Sequence, residues 1–123
     1  MFKRLRAGAL GLVLVAAVGL GACAPSNPNW SPAEDAIRQG FGPIADQAMR
    51  VAQCESGLNP GAVSSGGGNW GLFQINTVHQ GSFEAVTGHP WSDVLDPYVN
   101  TQYAVYLYNN SGGWGPWACA WAA

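Results

Sequence analysis

The sequence predicts a mainly α-helical, single small domain, and three observations predict it. Residues Pro43 to Cys54 place Ile44, Ala48, Val51 and Ala52 at three- and four-residue spacings, with Glu55 next on the same line. Asp96-Pro97 opens a second helical run, aspartate as N-cap and proline at the first helical position. The whole chain is 123 residues, enough for one domain.

The elements follow in order. The first predicted helix stops at Ser56-Gly57, since glycine accepts the left-handed cap. Leu58 to Asn69 is predicted as loop, with glycines at 66, 67 and 68. Trp70 to Ile75 is a short apolar piece of undetermined type, and residues 77–95 read as short helical turns and loop. The Asp96-Pro97 helix is predicted to run to about Asn109 and to stop at Ser111-Gly112-Gly113. The tail from Trp114 to Cys119 is expected to be extended. Residues 23–42, mixed in Pro, Ser, Asn, Gly and charge, read as a tether, within which Ser31-Pro32 can start a short helix. The compact domain is therefore expected over 43–123.

The first 22 residues have the layout of an export signal. Lys3, Arg4 and Arg6 precede an uncharged run of small and apolar residues from Ala7 to Ala22. That run is shorter than the roughly 20 residues a membrane-spanning helix needs. Leu20-Gly21-Ala22-Cys23 resembles a bacterial lipobox, with Cys23 the site of lipid attachment. The alternative is ordinary cleavage at an A-x-A-like site. Through the lipobox the chain is expected on the outer face of the bacterial cell membrane, anchored by acyl chains.

Without residues 1–22, two basic residues, Arg38 and Arg50, face seven acidic ones, a formal charge of −5. A nucleic-acid partner requires a basic face, so that class is excluded. With Cys23 acylated, Cys54 and Cys119 remain, and in an exported chain they are candidates for one disulfide. His79 and His89 lack paired-ligand spacing, so no metal is expected, and no cofactor either.

Glu55 is the candidate for chemistry. A carboxyl at the negative end of a helix, partly buried, has its pKa raised, as a general acid at neutral pH requires. Around it stand Glu55-Ser56, Asn59-Pro60, Ala62, Ser64 and Gly71-Leu72-Phe73-Gln74-Ile75. In that order and spacing these residues resemble the transglycosylase SLT family of the lysozyme-like superfamily, over roughly residues 44–119. Cys54-Glu55 and the terminal Gly113–Cys119 segment are also similar to the resuscitation-promoting factors, a resemblance that again implies a Cys54–Cys119 bridge.

The resemblance implies an α+β lysozyme-like fold, a glycan-binding cleft, and peptidoglycan glycan strands as the partner of a monomeric enzyme. It implies Glu55 as catalytic acid, Gln74 as a cleft amide and Ser64 (or Ser65) as a serine beside the glutamate. Trp70 is the expected stacking platform, and Tyr103 and Tyr106 are expected to face the sugar. The cleft tyrosine of many family members, in an Ala-Tyr-Asn-like segment after the last shared helix, has no counterpart here. After Glu55 the next acidic residues are Glu84, Asp93 and Asp96, none in the motif stretch. A two-carboxylate glycosidase mechanism thus lacks a second partner in the motif. The expected reaction is a lytic transglycosylation that closes a 1,6-anhydro ring. A hydrolytic muramidase and an inert glycan-binding lipoprotein are the alternatives.

Overall fold

The computed structural model describes residues 26–123. The export segment and Cys23 lie outside the described residues. Within them the fold is mainly α: helices α1 (Pro32–Phe41), α2 (Ala45–Ser56), α3 (Gln80–Thr87) and α4 (Pro97–Ser111), and a two-stranded hairpin. The hairpin pairs β1 (Asn69–Trp70) with β2 (Ile75–Asn76), antiparallel, Asn69 opposite Asn76 and Trp70 opposite Ile75. Short 3₁₀ turns join the helices, and one more, Ala120–Ala122, closes the C-terminus.

The helix ends obey local chemistry. At α4 the Asp96 carboxylate accepts from the backbone N–H of Tyr98 at 2.8 Å and Val99 at 3.2 Å, with Pro97 at the first position. At α2, Gly57 takes the left-handed conformation at φ 66° and returns its N–H to the Ala52 and Gln53 carbonyls. Glu55 therefore sits in the last turn of α2.

Helix α1 corrects the expected boundary at 42/43. Ala33, Ala36, Ile37 and Phe41 are buried and belong to one face, which packs on α2 and α4. Ser31 caps the helix by accepting from Glu34 N–H at 3.2 Å. The stripe is short and set among Pro, Gly and charged residues, so composition read it as tether. The attachment reaches back further still. The buried Asp35 carboxylate accepts from Ser26 Oγ, Gln39 Nε2 and Tyr98 Oη at 3.1, 2.8 and 2.8 Å, tying the described N-terminus to α4.

The core is aromatic where the tail meets the helices. Trp114 lies 5.2 Å from Phe41, 4.7 Å from Tyr108 and 5.2 Å from Trp117 between ring centroids. Its Nε1 donates to Gln47 Oε1, and Trp117 Nε1 donates to the Phe73 carbonyl at 3.0 Å. The tail is thus not extended, as the sequence suggested, but coiled into turns, with Trp117 N–H on the Trp114 carbonyl. Burying both indoles on one side requires that curl. It also brings Cys119 to Cys54, and the two are bridged.

Candidate active site

The hairpin turn is held against α4 by one buried side chain. Asn100 accepts from Phe73 N–H at 2.8 Å and donates to the carbonyls of Trp70 and Val94 at 3.1 and 2.8 Å. Gly71, at φ 80°, makes room for it: a Cβ there would collide with the Asn100 amide and the Val94 carbonyl. From the other side, Ser56 Oγ lies 2.7 Å from the Leu72 carbonyl, joining the end of α2 to the same turn. These contacts set Glu55 and Gln74 opposite one another.

Between them lies a cavity of about 200 Å³ whose wall includes Glu55, Asn69, Gln74, Asn76, His79 and Trp117. Glu55 is half-buried, and Oε2 accepts from the Cys119 N–H at 3.0 Å. Burial raises the Glu55 pKa above its ordinary value, and the Cys119 hydrogen bond opposes that rise. Among the described residues, no other carboxylate lines this cavity. Glu84 accepts from Trp91 N–H at 2.8 Å, and Asp93 pairs with His89 at 2.9 Å.

The amides of the opposite wall have fixed polarity. Gln74 Nε2 donates to the Ala62 and Gly71 carbonyls at 3.1 and 3.0 Å, which supports its left-handed backbone at φ 50° and leaves Oε1 as an acceptor. Asn76 Oδ1 accepts from Val78 N–H, so its Nδ2 must donate, and it does so to Asn69 Oδ1 at 3.0 Å. Asn69 Nδ2 is then left without a protein partner among the described residues.

Glu55 and Gln74 are thus brought together as expected, but other sequence-predicted residues stand elsewhere. Ser64 closes the glycine loop: its Oγ accepts from Asn69 N–H and its own N–H donates to the Asn69 carbonyl, both at 2.9 Å. It shapes the wall without lining the cavity. Trp70 turns its indole N–H to the Gly67 carbonyl and its ring against Trp91, 6.4 Å away. Tyr103, expected to face the sugar, is buried, its hydroxyl on Ser82 Oγ and His79 Nδ1. Tyr106 is partly exposed and packs on Tyr103 at 5.6 Å, away from the cavity wall. The motif reading assigned no role to Asn69, Asn76, His79 or Trp117. The first three flank the Gly71–Ile75 piece in sequence, which was the available signal.

The family described as Transglycosylase SLT domain matches residues 37–123. No curated protein matches the chain, and no solved structure does.

Proposed function

Because the chain belongs to the transglycosylase SLT domain family, we propose that it cleaves the β-1,4 bond between N-acetylmuramic acid and N-acetylglucosamine in peptidoglycan, using Glu55 as acid and then base. The observation that carries this reading is the single half-buried carboxyl on the cavity wall, with its raised pKa.

Protonated Glu55 gives its proton to the glycosidic oxygen as the bond to C1 breaks, and positive charge develops at C1. The Glu55 carboxylate then takes the proton of the muramyl C6 hydroxyl while O6 bonds to C1. The product is a 1,6-anhydro end, Glu55 is protonated again, and no water is consumed. Two opposed influences suit a group that must work in both states. Burial favours the acid, and the Cys119 N–H steadies the carboxylate once formed. A two-carboxylate route has no second group on this wall.

Mass analysis of digested peptidoglycan tests this reading. Anhydro muramyl ends are expected, and Glu55→Gln is expected to lower turnover by about 10²- to 10⁴-fold with unchanged circular dichroism. Reducing ends carrying oxygen-18 from labelled water would establish hydrolysis instead.

The site of action in this proposal is the outer face of the membrane, with Cys23 acylated. The Leu20-Gly21-Ala22-Cys23 pattern supports it. An acyl mass on the Cys23 peptide, and release of Cys23→Ala from the membrane fraction, are the expected results.

A further inference from the structure

His79 stands on the cavity wall with Glu55, in the 3₁₀ turn Thr77–His79 that follows β2. Its ring is committed inward on one side only. Nδ1 lies 3.3 Å from the hydroxyl of Tyr103, and the two rings pack at 5.7 Å. Tyr103 is 1 % exposed, and its hydroxyl lies 3.0 Å from Ser82 Oγ on α3. The chain Ser82–Tyr103–His79 therefore links a buried α4 phenol to the rim of the cleft. The phenol proton goes to Ser82 Oγ, so Nδ1–H donates to the Tyr103 oxygen, and the neutral imidazole presents Nε2 as an acceptor.

Nε2 has no protein partner among the described residues. Buried side-chain polar atoms without a partner are confined there to Asp35, Arg38 and Thr101, so Nε2 is open to solvent. Other side-chain acceptors on the opposite wall are few. The Oδ1 atoms of Asn69 and Asn76 already accept from Asn76 Nδ2 and Val78 N–H. A glycan strand presents hydroxyl and acetamido N–H groups that donate. A wall that reads such a strand needs outward acceptors. On the side facing Glu55 that task falls to Gln74 Oε1, whose amide nitrogen is used within the protein, and to His79 Nε2.

We propose that His79 is a substrate-contacting residue, accepting at Nε2 from a hydroxyl or acetamido N–H of the bound glycan, and that buried Tyr103 is a positioning residue that aims the imidazole. The inference rests on the peptidoglycan-cleaving reading of the Glu55 site.

The test uses two amides of different reach. Glutamine at 79 carries its amide to the place of Nε2, whereas asparagine carries it only to that of Nδ1. With soluble peptidoglycan strands as substrate, His79→Ala is expected to raise KM about tenfold, the effect of one lost hydrogen bond, and to leave kcat within about twofold. His79→Gln restores most of the KM, and His79→Asn does not. Tyr103→Phe raises KM less and adds nothing in the His79→Ala background. An unchanged KM in His79→Ala overturns the proposal. So does rescue by asparagine but not glutamine, which would make the Tyr103 link the whole role of His79. If the wild type does not cleave the strands at all, the reading of the Glu55 site falls first, and the two failures are thereby told apart.

Discussion

The two walls of the cleft are built by different physics. The wall that carries Glu55 is the end of α2 and the C-terminal tail. A disulfide, two buried indoles and a backbone hydrogen bond to the carboxylate itself hold it. The facing wall is the hairpin and the turn after it. Leu72, Phe73 and Ile75 anchor it in the common core, and its turns are shaped by polar contacts, chiefly the three hydrogen bonds of Asn100 and the reciprocal pair between Ser64 and Asn69. The first wall is covalent and apolar, and it raises the pKa of the acid by removing water. The second fixes which amide atoms point inward and which remain for a ligand. The carboxyl and the facing amides thus rest on largely different supports, joined by Trp117 Nε1 on the Phe73 carbonyl and Ser56 Oγ on the Leu72 carbonyl.

The largest expected effect comes from breaking the first wall. Replacing Cys54 and Cys119 together by alanine removes a link closing 65 residues of chain, and loss of about 4 kcal/mol of stability is expected. Chemical unfolding measures it. Hydrogen exchange should rise in the 114–122 amides while those of the hairpin stay protected. Equal loosening of both walls would show that they are one cooperative unit.

Breaking the second wall has a slightly smaller effect. Asn100→Ala leaves Phe73 N–H and two carbonyls without their partner in a buried place, and a loss of about 3 kcal/mol is expected. Exchange should rise across residues 69–76. Activity should fall through KM, because Glu55 keeps its own supports. A fall through kcat alone would contradict the division of labour.

The smallest effect isolates the acid. Burial raises the folded-state pKa of Glu55 above the ordinary glutamate value, so the native state favours the protonated form. Stability from that preference is fully present below the ordinary value and is lost as pH rises through the raised one. At neutral pH the charged carboxylate costs stability, and Glu55→Gln, whose carbonyl can still accept from Cys119, is expected to melt slightly higher than wild type. The difference should vanish at about pH 4. A variant that melts lower at neutral pH would mean that the Cys119 hydrogen bond outweighs burial.

Much of this was legible in the chain. Asp96-Pro97, Ser56-Gly57 and the 44–55 periodicity set the two main helices, because caps and amphipathic faces are short-range properties. The Glu55, Gly71–Ile75 and Cys54/Cys119 pieces located the cavity carboxyl, the turn and the staple. The aromatic and hydroxyl assignments fared differently. Tyr103 and Tyr106 are both on α4, yet only the packing of α3 against it buries one phenol and leaves the other partly exposed. Ser64 lies beside the glutamate in the motif, but the hairpin claims both its polar groups. Helix α1 was legible at its Ser31-Pro32 start but not as part of the domain, because its apolar stripe acquires a reason only when α2 and α4 are present to cover it.

What the sequence determined by itself, then, is local: where helices begin and end, which glycines permit left-handed turns, and which carboxyl stands at a helix end. What only the tertiary structure decided is which polar atoms remain unspent. Gln74 Oε1, Asn69 Nδ2 and His79 Nε2, on residues of the cavity wall, are left over because partners 3 to 24 residues away occupy the other polar atoms. No pattern along the chain encodes that, since a hydrogen bond is satisfied in space, by whichever group folding brings within reach.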